Sequence, residues 1–435
     1  EPPGPRMARY QRETRGSHVA VQDESDSDEG DSDSQPGSQP SHVTQHPVRP
    51  PISKYYSCTK VAQWSLSDDG NREITGYDAA KLITTRVFCV NTGTIFRHRV
   101  LIIETTLVML SFAFACALTV TLHRLKALKL ESIQRQSSAI QGYCVVLTTI
   151  TTFLMGFFTS TNYGRWWRLR TQGVGALWSA GANLTMMLSS FVTQDEEVIS
   201  AIDRYARASI MLIFMSQRGL KGEHELLVQR KILTDDEIEQ LSPIREHNHT
   251  CCAIWTWVTC IIQGLSKKGL IKSDMVLRML LEQAQHGRAS AQLVMNQLAC
   301  PLPMSYVALL GLMVKVHNFS YAILYGLMAT VTVCLHHRDA ELPLGKTTFC
   351  IEICRVIILS TIFNALLLVN QGMMNPFDGT IPDTDFPMTR INSACKENLS
   401  EYTLLAQRLP KWMKKSGLNK GLQHQSLLGK KDHES

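Results

Sequence analysis

An all-α fold that crosses a membrane several times is what this sequence predicts, and three observations carry the prediction. Apolar residues make up an ordinary 44% of the 435-residue chain, yet they are gathered into runs long enough to span a bilayer as helices, which takes roughly 20 residues. The opening stretch holds almost none of them. Charge is divided in the same way. Residues 1–54 carry six Lys/Arg and nine Asp/Glu, so the rest of the chain holds +9 of a net charge of +6. A basic body around apolar spans is the pattern of positive flanks at a membrane.

Residues 1–54 read as a disordered acidic and Pro-rich tail. The run from Asp23 to Ser34 has no large apolar residue, so it cannot bury enough surface to offset its chain entropy. The opening EPPGPRMARY lacks the apolar segment of a cleavable signal peptide, and Met7 reads as a candidate start.

The first span is near 100–122, an apolar run whose one charge is Glu104. Arg97 and Arg99 precede it, and His123, Arg124 and Lys126 follow, so charge alone leaves its orientation open. The second span, near 140–163, has no charged residue and contains Thr148, Thr149, Thr151, Thr152, Thr159 and Thr161. Hydroxyls at this density suit a helix that faces other helices or water. It stops at Arg165-Trp166-Trp167-Arg168, an aromatic and cationic belt.

The segment 174–300 is expected to form cytosolic helices. Within it, 174–192 is diluted by Gly, Ala, Ser and Asn and reads equally well as a third membrane helix. Ala208–Met215 and Cys251–Leu265 are too short to span and predict buried helices. The run 305–335 suits one long helix, or a helix with a polar break at Lys315 to Asn318. The last span, near 349–370, contains Glu352 and Arg355, three apart and so placed to pair. Residues 401–435 form a basic tail, with seven Lys/Arg against two Asp/Glu from Arg408 onward. Such a tail suits anionic lipid headgroups.

Several function classes are excluded. No basic stripe with interleaved aromatics speaks for nucleic acid. No nucleotide-binding loop, catalytic triad or zinc-protease motif appears, so no enzyme is expected. The 12 Cys lack framework spacing, and Cys116, Cys144, Cys334 and Cys350 lie in apolar runs as small buried hydrophobes. His247, His249, Cys251 and Cys252 are four potential metal ligands close together, but the second half of a zinc motif is absent. A channel, a secondary transporter and a membrane-bound interaction protein remain. A transporter should show internal repeats and helices broken at mid-membrane.

Several segments, in order, resemble the bestrophin family over about residues 80–400. Phe153-Leu154-Met155-Gly156-Phe157-Phe158, followed by Arg165-Trp166-Trp167, is similar to that family's neck helix. Arg204-Tyr205-Ala206, Leu233-Thr234-Asp235-Asp236-Glu237 and Trp255-Thr256-Trp257-Val258 follow in family-like order. Asn375-Pro376-Phe377, with acids after it, resembles the family's calcium-binding cluster. The resemblance implies a pentameric anion channel around one axial pore, with both termini cytosolic. Chloride is the expected ion, with bicarbonate compatible. Membrane lipid and further copies of the chain are the expected partners. The plasma membrane is favoured and an organelle membrane is the alternative. Calcium is the one cofactor implied.

The residues themselves say what each site would do. Phe153 and Phe157 are four apart and share a helix face, with Thr149 one turn earlier. The resemblance places these three in the pore neck, where the family is apolar at every level, so Thr149 departs from it. A ring of Phe offers water no hydrogen-bonding partner and gates by dewetting. The positive edges of the rings suit a weakly hydrated anion. The alternative is that both Phe pack inside a helix bundle. Gly156 would permit close helix approach, while Arg165, Trp166 and Trp167 would brace the helix. Asn375, Asp378, Asp383 and Asp385 supply the hard oxygens that calcium takes. Gly379 to Pro382 and Thr384 interrupt this set, and Gly372 stands where animal members have Gln. The alternative there is a solvated acidic loop.

Overall fold

The computed structural model describes residues 62–66, 72–77 and most of 95–411, the interruptions being 126–132, 134, 220–222, 242, 244–248, 339–343, 382–383 and 409. The acidic tail 1–54 and most of the basic tail lie outside the described residues.

The described chain is helical except for one antiparallel hairpin, β1 (Ala62–Leu66) and β2 (Arg72–Tyr77), with Trp64 opposite Ile74. That hairpin is too short to give a strand signal against the helical background.

Four helices are long and apolar enough to cross a membrane: α1 (Arg99–Arg124), α2 (Ser137–Arg168) with its continuation, α10 (Met304–Arg338) and α11 (Leu344–Met374). They pack on one another as a bundle. In α1 the buried positions Val108, Phe112, Ala115 and Thr119 recur every three or four residues, the stripe of a helix with one packed face. Much of its remaining surface is apolar and exposed, with Ile102, Ile103, Leu110 and Phe114 among the residues there, as contact with lipid requires. Helix α10 runs unbroken through Lys315 to Asn318, so the polar break allowed by the sequence does not form. At Gly326, a Cβ would sit 2.8 Å from the carbonyl oxygen of Phe112 and 3.0 Å from the Ala115 Cβ. Glycine is therefore what lets α10 lie against α1.

Helix α2 does not end at its aromatic belt. It passes through a π-helical turn, Leu169–Gly175, into α3 (Ala176–Phe191). Helix α3 begins a second helical layer with α4 (Glu196–Arg218), α5 (Glu223–Gln229), α6 (Asp235–Leu241), α7 (Thr250–Ala253), α8 (Trp255–Lys267), α9 (Asp274–Ala299) and α12 (Met388–Gln407). Most of α3 is buried in the core of this layer, as the packed alternative for 174–192 requires.

Local chemistry fixes the ends of these helices. Asp195 accepts the Glu197 N–H at 3.0 Å and caps α4, which stops at Gly219 in the left-handed region with φ 57°. Helix α6 opens with a reciprocal capping box. The Thr234 N–H donates to Glu237 Oε2 at 2.8 Å, and the Glu237 N–H donates to Thr234 Oγ1 at 3.3 Å. As predicted, Ala208–Met215 is buried throughout. Of the cysteines in apolar runs, Cys144 is buried and Cys116 and Cys334 are half-buried. Cys350 is exposed instead, on the outward surface of α11.

Candidate functional site

Helix α2 has two unlike faces. Cys144, Leu147, Thr151, Met155, Phe158 and Asn162 are buried, at the three-and-four spacing of one face. The opposite face carries Thr149, Phe153 and Phe157, and nothing among the described residues covers it. Phe153 is 73% exposed and Phe157 62%. Two aromatic rings one helical turn apart, bare on a helix whose other side is packed, argue against a simple intrasubunit core. At Thr149 the hydroxyl donates to the Val145 carbonyl at 2.8 Å. Its proton is thus spent within the helix, which lowers the polarity of that level. Gly156 lies on the same open face with nothing within 4 Å of a Cβ. The close approach expected there is not made among the described residues, because no described helix covers that face.

The brace at the lower end of α2 is more specific than a membrane belt. Arg165 donates through Nη2 to the Gln297 carbonyl near the end of α9. The Trp166 indole N–H donates to the Thr384 carbonyl at 2.8 Å, and its ring packs on Phe386 with centroids 5.2 Å apart. Tyr163 stacks on Trp166 and Trp167 at 6.1 and 6.3 Å. Arg170 lies over the same two indoles, 5.5 Å from Trp166 and 6.0 Å from Trp167, a cation–π arrangement.

Trp166 therefore touches the acidic loop that follows α11. This loop is packed, unlike the solvated alternative. Phe377, Ile381 and Phe386 are buried, with Phe377 against Phe214 at 5.0 Å and against Phe386 at 5.2 Å. Asn375 accepts the Phe377 N–H at 3.3 Å and donates to Gln217 at 3.3 Å. Asp378 accepts from both the N–H and the hydroxyl of Thr380, at 2.9 and 2.8 Å. Asp385 accepts the Ile381 N–H at 2.9 Å. Asp383 lies outside the described residues. Among the described residues no three His, Cys, Asp or Glu converge as metal ligands. That statement covers His249, Cys251 and Cys252, while His247 is outside. Gly372 is explained by the same loop, since Thr384 packs where a Cβ would stand. The hard oxygens of Asn375, Asp378 and Asp385 share one loop and suit calcium chemically, although each already holds part of the loop's own backbone.

Behind the bare face of α2 the bundle is joined by polar contacts. Thr148 Oγ1 lies 3.0 Å from His317 Nε2, and His317 Nδ1 lies 3.0 Å from Asn318 Oδ1. Asn370 joins α11 to Asn162 and Thr159 of α2, both at 2.9 Å. Lys315 pairs with Glu104 at 2.7 Å and donates to Asn364 at 3.2 Å. Glu352 and Arg355 pair at 3.2 Å, as their spacing predicts. Sequence reading flagged Glu104 and Lys315 only as interruptions of apolar runs. The one signal available was the rarity of such charges inside a span.

In the second layer, Glu237 collects Arg204 at 2.9 Å and the Tyr205 hydroxyl at 2.6 Å. Burial raises its carboxyl, but the hydrogen bonds from Arg204, Tyr205 and the Thr234 N–H outweigh it and hold the group below the usual carboxylate range. Burial and the same Glu237 push the Tyr205 phenol up to about 12.

A family model described as Bestrophin, RFP-TM, chloride channel matches residues 78–392. Among solved structures, a bacterial bestrophin homologue from Klebsiella pneumoniae is similar at a TM-score of 0.54 and 16% identity, over 71% of this chain and 99% of that one. A single-residue variant of the Klebsiella homologue gives a TM-score of 0.55 at 15% identity, over 69% and 98%. A crystal structure described only as a membrane protein gives 0.55 at 16%, over 69% and 98%. These likenesses show a shared fold. No curated protein matches the chain.

Proposed function

The chain belongs to the bestrophin family of anion channels and is an integral membrane protein, and from that premise we propose that it is one subunit of a pentameric chloride channel whose neck is lined by Thr149, Phe153 and Phe157. The observation that carries the reading is the bare aromatic face of α2. On a spanning helix an uncovered apolar face meets lipid, another subunit or a pore, and the resemblance of the Phe153 to Phe158 segment to the family's neck helix selects the pore. Closing five copies about an axis would turn Phe153 and Phe157 into two stacked rings of aromatic edges. Such rings withhold hydrogen bonds from water, so the neck would wet only when it widens. Chloride, which gives up its hydration more readily than small cations do, would pass the positive ring edges. Bicarbonate fits the same weakly selective path.

In this reading the second layer is cytosolic, and the acidic loop is its link to the neck through Trp166. Calcium held by Asn375, Asp378, Asp383 and Asp385 would stiffen that link. Calorimetry on the purified protein tests this part: binding heat that weakens in Asp385→Asn supports it, and no heat with wild type removes it. The channel itself is tested by reversal potential in a reconstituted bilayer under a chloride gradient. The expected shift is toward the chloride equilibrium potential, and a shift toward the cation potential refutes the proposal.

A further inference from the structure

Arg165, Arg168 and Arg170 crowd the lower end of α2, and two of the three are engaged. Arg165 donates to the Gln297 carbonyl. Arg170 lies over the indoles of Trp166 and Trp167. Arg168 is exposed and, among the described residues, has no hydrogen bond, ion pair or ring contact. A cation at the end of a helix ordinarily meets the last carbonyls and the negative end of the dipole. That role is closed to Arg168, because the helix does not end there. Leu169 stays right-handed, with φ −58° and ψ −41°, and the π-helical turn carries the chain on into α3.

The helix period sets where Arg168 stands. It follows Phe157 by eleven positions, which is three turns plus about 20° and about 16 Å along the axis. Arg168 is therefore on the bare face of α2, beneath the two rings. Between them that face carries Ser160, which is exposed, and Gly164, where nothing lies within 4 Å of a Cβ. Thr171 continues the exposed face below. Around a common axis, the path would be narrow at Phe153 and Phe157 and wider by Gly164. Arg168 would project into the wide, wet part.

Charge along this shaft has one sign. From Ser137 to Phe191 there is no Asp or Glu, and the three arginines are its only Lys or Arg. On the reading that Phe153 and Phe157 form the neck of a fivefold channel, we propose that Arg168 sets the preference of the pathway for anions. Closing five copies would place five guanidiniums at one level of the axis, with no carboxylate of the shaft to neutralise them. Their summed field raises the local concentration of anions and lowers that of cations. A guanidinium that stays hydrated in the wide part draws chloride in without holding it, which conduction requires. This action reaches through water and is screened by salt, whereas the ring edges of Phe153 and Phe157 act at contact.

The test is single-channel recording of the full-length protein in planar bilayers. Conductance and the chloride-to-sodium permeability ratio are measured at about 0.1 M and about 1 M salt, where the Debye length is about 10 Å and about 3 Å. Arg168→Gln removes the charge, Arg168→Lys keeps it and Arg168→Glu inverts it. The side chain is exposed and unpartnered among the described residues, so the variants should assemble as wild type does, which size-exclusion profiles check. Arg168→Gln should lower both quantities at least twofold at the lower salt, with a smaller loss at the higher. Arg168→Glu should lower them further, and Arg168→Lys should restore them. An equal loss at both salts, or no rescue by lysine, overturns the proposal, because the side chain then shapes the helix rather than the field. Unchanged values in Arg168→Gln also overturn it, and if Phe153→Ala alters the current in the same recordings, the neck reading survives alone. A wild type without anion-selective current overturns both.

Discussion

In the second layer, Trp255 is 1% exposed and donates to the Ser209 hydroxyl at 3.0 Å, inside one continuous apolar cluster that also includes Phe214 and Phe377. In the spanning bundle, Phe112 is equally hidden, yet it belongs to one of three small apolar clusters. Between those clusters the helices meet through Glu104–Lys315, Asn162–Asn370 and Thr148–His317. The two regions answer to different solvents. On the proposed cytosolic placement of the second layer, water drives it to gather its apolar side chains. Lipid gives apolar side chains no such reason to meet, so spanning helices associate through close packing and hydrogen bonds.

The comparison breaks first at the aromatic cores. Trp255→Ala should cost about 3–5 kcal/mol, because it loses both transfer free energy and packing. Phe112→Ala should cost about half as much, since its unfolded reference is still in lipid and only the packing loss remains. Thermal unfolding of the two variants in one detergent measures the ratio, and equal losses would erase the distinction.

The bare face of α2 sharpens the contrast from the other side. Phe153→Ala and Phe157→Ala should change stability by no more than about 0.5 kcal/mol, as exposed positions do. Their expected effect is on current, a severalfold rise in open probability or a change in anion selectivity at normal surface expression. Unchanged currents would return both residues to a lipid-facing or packing role.

The smallest effect concerns pH. Glu237 is held below the usual carboxylate range, so its stabilisation is complete above the unfolded pKa near 4.3 and is lost as pH falls through the lower folded value. Its charged hydrogen bonds are partly exposed and contribute about 1 kcal/mol. Acidification from pH 7 to pH 3 should therefore lower the melting temperature more in wild type than in Glu237→Gln. Parallel curves would show that the clamp on Arg204 does not depend on charge.

The spans were legible because twenty apolar residues in a row have few other homes, and the burial of Ala208–Met215 was legible for the complementary reason that eight are too few. Thr149, Phe153 and Phe157 were legible as a shared face through their spacing, but their bareness was not, since spacing is blind to what lies opposite. Glu104 and Lys315 lie over two hundred positions apart, and no local pattern predicts their pairing. In the acidic loop, Phe377 and Phe386 were in plain view, but the carboxylates between them drew the reading toward a calcium site, with a solvated loop as the alternative. What buries the loop is Phe214 on α4 and Trp166 at the end of α2, distant in sequence.

The π-helical turn at Leu169–Gly175 makes α2 and α3 a single shaft from Ser137 to Phe191. An unbroken hydrogen-bonded helix resists twisting far more than a loop does, so torque applied at one end arrives at the other. The wider turn is a coupling in that shaft, and such turns in helices are frequently found at functional sites. Below it, α3 is gripped on most sides by the core of the second layer. Above it, Phe153 and Phe157 stand free. A rotation of the gripped end by even a fraction of a turn would sweep both rings sideways together, as a key turns its bit, without any hinge in the upper segment.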